Sequence, residues 1–441
     1  MSGEGVGATT VALQSFLSSL TGLDDAGDEA EAIDRIAILE AIESGCAAAQ
    51  AVETMRLEEL RRETESAAGV PVARQGRGLA AEVALARKAS GSAGGRYLGF
   101  ARALMREMPH TRAALAAGVL TEWRATILVR ETAYLTPRDR AEIDRRLCAD
   151  VSMLEGVGDR ALDAEVKRLA YELDPQAVVD RHAQAAKDRR VSTRPAPDGM
   201  VRLSALLPLV SGISVYASLK RHADATVGAD DRTHAQVMAD ALVERVTGAA
   251  TVDALPVAVN VVMSDEVLLG NGDAAAHVTG YGPIPADTAR AMVATSLDAD
   301  AATTLRRIFK APSSGALVAM ESTARLFPTG LKHFLDLRDE SCRIPYCDAP
   351  IAEYDHADPH SRGGDTSASN GGGMCLTHNR AKQNPGWRMT TADHTDTTRH
   401  TATVTTPTGH AHVSRAPAPP GHHDEPISLI ERRLRALLDA A

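Results

Sequence analysis

The sequence predicts an α+β chain: a mostly α-helical N-terminal region followed by a small cysteine-bearing module. Three observations predict it. Aromatic residues make up only 3% of the chain while alanine and leucine abound, which favours helices packed through small side chains. Between Asp34 and Leu60, apolar residues recur at helical spacing: Ile36, Ile38, Leu39, Ile42, Val52, Met55, Leu57 and Leu60. Three of the five cysteines, Cys342, Cys347 and Cys375, fall in one stretch from Arg338 to Trp387.

At 441 residues the chain exceeds one ordinary domain. Its composition shifts suggest a helical segment over 1–75, a helical domain over 76–325, the cysteine-bearing module over 326–395 and a tail over 396–441. The helical pattern continues from Gly78 to Asp180, where Thr121 and Pro137 each open a helix. The arginines of this region, Arg96 to Arg146, are read as solvated helix faces paired with acids, with a DNA-facing stripe as the alternative. Asp188 to Gly199 reads as a turn-rich break, and Val201 to Leu209 as a short strand and turn. A helix is expected from about Val215 to Val246, interrupted near Gly228, and a strand at Val257 to Met263. The Gly280-Tyr-Gly282-Pro283 run reads as a turn, because Pro283 removes an N–H that a phosphate cradle needs; a helix follows from Ala286. Arg306, Arg307 and Lys310 form a small basic surface cluster. In the tail, strands are expected at Thr401–Thr405 and Ala411–Ser414, and a capped helix from Ser428 to Leu438. The tail histidines, His400 among them, read as solvated, and Cys46 and Cys148 as buried thiols.

A net charge of −10 excludes a polycationic coat protein, so any nucleic-acid contact must come from a local patch. The N-terminus lacks the basic n-region of a secretory signal, and no apolar run reaches membrane-spanning length. An odd cysteine count then points to a reducing, cytoplasmic setting and to metal binding over disulfides.

The chemistry concentrates between Arg338 and Trp387. Cys342 with Cys347, and Cys375 with His378, make two close pairs, as a four-coordinate structural zinc requires. Between the pairs stands Asp355-His356, a carboxylate beside an imidazole; one can hold a metal while the other activates water. The continuation is DH-x2-P-x-S-x-GG-x5-N, then C-x2-H-N-x2-K.

This pattern resembles the HNH nuclease motif, which builds a ββα-metal (His-Me finger) site, in the branch of that superfamily that also carries a zinc. RRVSTRPAPDGMVRL, DDRTHAQVMADALVE, VTGYGPIPADTAR and LRRIFKAPSSGAL resemble the helical domain of unknown function 222 (13E12-repeat type) that precedes HNH modules in many actinobacterial proteins. Together the resemblances span about Gly118 to Pro417. They imply a metal-dependent endonuclease acting on double-stranded DNA and leaving 5′-phosphate and 3′-hydroxyl ends. His356 would be the general base, and Asp355 with Asn379 would hold one divalent ion. Asn379 is uncharged, which favours Mg2+ or Mn2+ there over Zn2+. Asn370 would brace the loop and orient His356, while Arg362, Arg380 and Lys382 are candidate phosphate contacts. His378 stands where related sequences often carry Cys. Gly371-Gly372-Gly373 replaces the usual apolar residues, so a loosened, flexible segment is expected there. The alternative is a non-catalytic zinc module that binds nucleic acid or protein. Its support is local charge: Arg338 to Asp393 holds six Lys/Arg against eight Asp/Glu.

Overall fold

Helices dominate the chain because its apolar residues recur at helical spacing, and Thr121, Thr136 and Thr233 cap three of the helix starts. The computed structural model describes residues 7–226, 231–248, 261–264, 267–268, 272–298, 326–392 and 399–418. The helices are α1 (Ala8–Leu20), α2 (Glu29–Ala67), α3 (Leu79–Ala86), α4 (Gly91–Arg106), α5 (Pro109–Ala116), α6 (Glu122–Glu131), α7 (Pro137–Cys148), α8 (Asp159–Leu173) and α9 (Pro175–Ala185). The hairpin β1 (Arg190–Pro195) and β2 (Val201–Leu206) follows, then α10 (Leu209–Thr226) and α11 (His234–Thr247). Next come β3 (Val261–Val262), β4 (Ala276–Val278), β5 (Gly282–Ile284), α12 (Ala286–Asp298) and α13 (Thr329–Asp339). The C-terminal part contains β6 (Glu353–His356), β7 (Gly371–Met374), α14 (Leu376–Lys382), β8 (Arg388–Ala392), β9 (Thr401–Thr405) and β10 (Ala411–Arg415). The architecture is α+β and mostly helical. No helix among the described residues is long and apolar enough to cross a membrane.

The chain forms two compact units, one of residues 1–57 and 99–178, the other of 58–98 and 179–441. The first is an all-helical core. Leu104, Met108, Leu115, Leu128, Ile143 and Val166 interlock there. Two of its helix starts are satisfied locally: Thr121 and Thr136 cap α6 and α7 through their hydroxyls. The buried Asp144 carboxylate accepts from the His110 and Thr111 amides at 2.8 and 2.7 Å, neutralising the open start of α5. Several arginines of this region pair with acids on solvated faces, as Arg130 does with Glu131 and Arg145 and Arg146 do with Glu142. Arg140 differs: it is buried and paired with Glu107.

In the second unit a core joins α3 to the cysteine-bearing module. Ala81 and Leu85 pack with Cys342, Ile344, Cys347, Met374, Ala381, Trp387, Met389 and Val404. Glu82 of α3 also accepts from the Thr408 amide and hydroxyl, at 3.1 and 2.6 Å, and pairs with Arg61 at 2.7 Å. The sheets are small and antiparallel: β1–β2, β3–β4–β5, β6–β7 and β8–β9–β10.

Two expectations need correction here. Asp188 to Gly199 is not a mere break, because Arg190–Pro195 pairs with β2 in register from Arg190↔Leu206 to Pro195↔Val201. Cross-strand pairing outweighs the local turn formers, which are confined to Pro197-Asp198-Gly199 at the tip. Cys46 is exposed, whereas Cys148 is buried as expected. The expected C-terminal helix, the 306–310 basic cluster and residues 257–260 of the expected 257–263 strand lie outside the described residues; of the rest, Val261–Val262 form β3 and Met263 does not continue it.

Candidate metal centre and the polar site beside it

Four donors converge where the sequence pairs them. The first pair sits on a tight turn: the Cys342 amide donates to Ala349 O at 3.0 Å and the Cys347 amide to Ile344 O at 3.2 Å. Tyr346, with φ of 62°, supplies the left-handed residue that brings the two thiols round. The second pair uses a helix start. Cys375 is the N-cap of α14, and its Sγ accepts from the His378 amide, so the C-x2-H spacing sets thiol and imidazole side by side. Cys342 Sγ lies 3.6 Å from His378 Nδ1, Cys375 Sγ 3.5 Å from the same nitrogen, and Cys347 Sγ 3.9 Å from Cys375 Sγ. All four donor atoms lie within 4.8 Å of one another and all four residues are buried. A tetrahedral zinc with ordinary Zn–S and Zn–N bonds separates its ligands by about 3.4–3.8 Å. The set therefore fits that ion in donor chemistry and in spacing.

Electrostatics agree with a ligand cluster. Hydrogen bonding among the packed thiols pushes Cys342 well above the ordinary thiol range and holds Cys375 well below it. Burial disfavours charge on His378, but the Cys347 and Cys375 thiols outweigh it and raise the imidazole to about 9. The second ring nitrogen, Nε2, is buried without a hydrogen-bond partner. It lies against Gly91 at the start of α4, where a Cβ would sit 2.7 Å away. Gly91 is a residue of the centre that sequence reasoning missed, since nothing local connects it to a cysteine module so far along the chain.

An adjacent face of α14 carries different chemistry. Asn379, Lys382 and Gln383 stand at i, i+3 and i+4, so they share a face, and it meets Glu353 and Asp355 on one side of β6. Asn379 Nδ2 donates to Glu353 Oε2 at 2.6 Å, and Gln383 Nε2 to Asp355 Oδ2 at 2.8 Å. Lys382 Nζ sits 2.7 Å from Asp355 Oδ2 and also donates to the His356 carbonyl. Asn379 Oδ1, in contrast, is buried and accepts from nothing. His356 ends β6 with its ring buried against Phe327, the centroids 4.6 Å apart. Its Nε2 is 2.8 Å from the Thr366 hydroxyl and its Nδ1 3.9 Å from Asp355 Oδ1. Burial lowers the His356 pKa, partly offset by Asp355, so the imidazole is neutral near pH 7.

Residues 37–339 match the family model described as a domain of unknown function, DUF222, over well more than half of the chain. The chain belongs to the DUF222 family. No curated protein and no solved structure matches it. The match takes in α3 and Gly91, so the DUF222 region itself contributes to the core around the cysteines, and it ends just before Cys342.

In this DUF222 chain Asn370 braces the 357–370 loop. Its Oδ1 accepts from the Asp358 amide at 2.8 Å, and its Nδ2 donates to the Asp358 and Asp365 carbonyls at 3.0 and 2.8 Å. It reaches His356 only indirectly, by fixing Asp365 beside Thr366. Arg362 and Arg380 are exposed, but Lys382 is buried and engaged with Asp355, which corrects its reading as a phosphate contact. The glycine run is likewise no flexible loop. Gly371–Met374 is a fully buried strand, and a Cβ at Gly371 would lie 2.6 Å from Phe327, one at Gly373 2.4 Å from Ile351. Beneath it lies a buried network that sequence reasoning missed. Arg338 forks onto Asp339 at 2.7 and 2.9 Å and donates to Gly371 O at 2.7 Å; Asp339 accepts from the Gly373 amide at 2.8 Å. Arg343 donates to His400 Nδ1 and His400 Nε2 donates to Ser369 O, at 3.3 and 2.8 Å. His400 is thus buried, not solvated, and burial with the nearby arginines lowers its pKa to about 4.

Proposed function

We propose that this chain is a metal-dependent endonuclease of the HNH type that hydrolyses phosphodiester bonds of double-stranded DNA, with the Cys342, Cys347, Cys375 and His378 zinc as a structural brace. The observation that carries the reading is Asn379 Oδ1. A buried amide oxygen with no donor beside a carboxylate is costly to leave unsatisfied, and a hard divalent cation satisfies it. A zinc scaffold alone needs no such acceptor. Asp355 and Asn379 would hold Mg2+ or Mn2+. Bound there, the ion would stabilise charge developing on the scissile phosphate and on the leaving 3′ oxygen.

The chain's own residues supply the rest. His356 is neutral and so can take a proton from water. The Thr366 hydroxyl engages Nε2, which leaves Nδ1, on the Asp355 side, as the accepting nitrogen. Asp355 then steadies the imidazolium across 3.9 Å. Lys382 and Gln383 fix the Asp355 carboxylate, and Asn370 holds the loop that carries Thr366.

The test is cleavage of supercoiled plasmid with Mg2+ or Mn2+ by wild type and His356→Ala, matched for zinc content and folding. The variant should lose about 10²–10⁴-fold in rate. Equal rates in the two proteins would remove His356 as the base. No cutting by either protein, with zinc bound and DNA retained at low salt, favours a binding module, the reading that the local excess of acids supports.

A further inference from the structure

The β1–β2 hairpin is a ribbon with no covering layer. All twelve of its residues are exposed, so neither face is held by the fold among the described residues. Its register sorts side chains by chemistry. Val191 and Ala205, Thr193 and Leu203, Pro195 and Val201 share one face; Arg190 and Leu206, Ser192 and Ser204, Arg194 and Arg202 share the other. Arg194 and Arg202 are direct cross-strand partners. Like charges placed opposite one another destabilise a strand pair, and no acid on that face offsets them. From Arg189 to Leu206 the segment has four arginines and one acid, Asp198 at the turn, in a chain whose net charge is −10. A repulsive arginine pair on an exposed ribbon, within an acidic protein, is an arrangement that an external polyanion resolves.

We propose that the arginine face of the β1–β2 ribbon is a duplex-DNA contact, with Arg190, Arg194 and Arg202 on the phosphate backbone. A two-stranded antiparallel ribbon fits the major groove of B-form DNA, whose width is about 12 Å. Guanidinium groups bind phosphate through paired N–H donors, and the serines between them, Ser192 and Ser204, add neutral donors. The choice of DNA over another polyanion rests on the nuclease reading, but the contact itself needs neither zinc nor His356.

The experiment is fluorescence anisotropy of a labelled duplex of about 30 base pairs with the full zinc-loaded chain, across a salt series and without added Mg2+ or Mn2+. Arg190→Ala/Arg194→Ala/Arg202→Ala should weaken binding about tenfold or more and lower the slope of log K against log salt by about two to three. The matching triple lysine variant should keep affinity within about threefold, and Leu203→Ser on the other face should bind like wild type. Unchanged affinity and slope in the alanine variant overturn the proposal, as does an equal loss from Leu203→Ser. Loss confined to the arginine face, with no cleavage by wild type under any metal, keeps the ribbon and removes the nuclease. Cleavage that depends on His356 with an unaffected alanine variant removes only the ribbon.

Discussion

Two adjacent faces of α14 differ in whether their polar groups converge on one another. On one face, Cys375 and His378 meet Cys342 and Cys347, and the four donors point at one another with no position left over. On the other, Asn379, Lys382 and Gln383 meet Glu353 and Asp355, and one buried oxygen, Asn379 Oδ1, is left without a partner. Structural metal sites are closed in the first way, and catalytic ones keep an open position. A helix of seven residues thus closes one face around four converging donors and leaves one buried oxygen open on the face beside it.

The largest expected effect comes from breaking the closed face. Cys347→Ser should abolish the single zinc per chain and unfold the module, since structural zinc contributes about 10–16 kcal/mol in small zinc folds; metal analysis and near-UV circular dichroism check this. Next comes the buried histidine under the glycine strand. His400 has a folded pKa near 4 against an ordinary 6.5, so the unfolded chain binds the proton more readily between those values. Stability should be full above about 6.5 and fall as pH drops toward about 4, by a total of about 3 kcal/mol. Urea unfolding at pH 7.5 and 5.0 should show about 2 kcal/mol of that loss, and His400→Gln, which can keep both hydrogen bonds, should flatten it.

Smaller effects probe the strand that backs the open face. Gly373→Ala drives a methyl to 2.4 Å from Ile351 and should cost about 1–3 kcal/mol. Gly372→Ala meets only ordinary contacts, the nearest at 3.7 Å, and should be tolerated. Thermal melts of the pair decide whether the run is packed or merely slack. Smallest is a shift in pH profile. Because burial lowers the His356 pKa, the acid limb of cleavage should fall below 6.5, read from kcat/KM against pH.

The closed face was legible in the sequence because a cysteine-histidine set is defined by residue type and short spacing, whereas the N-cap position of Cys375 came only with the structure. The strands at Thr401–Thr405 and Ala411–Arg415 were legible for the same local reason. What escaped depends on contacts far apart in sequence. His400 looked like another tail histidine until Arg343 and Ser369 reached it. Gly371 and Gly373 looked like a loose loop because the side chains that press on them, Phe327, Leu335 and Ile351, come from other segments. β1 was hidden by the turn formers at its end, and only its partner strand reveals it.

The most direct measurement is an Mn2+ titration of the zinc-loaded chain followed by electron paramagnetic resonance, with Asn379→Ala alongside. The two-faced account predicts a weak Mn2+ site in wild type that disappears in the variant while zinc content stays equal in both. No Mn2+ binding to wild type, or the same binding in both proteins, would contradict it, and α14 would then have one working face instead of two.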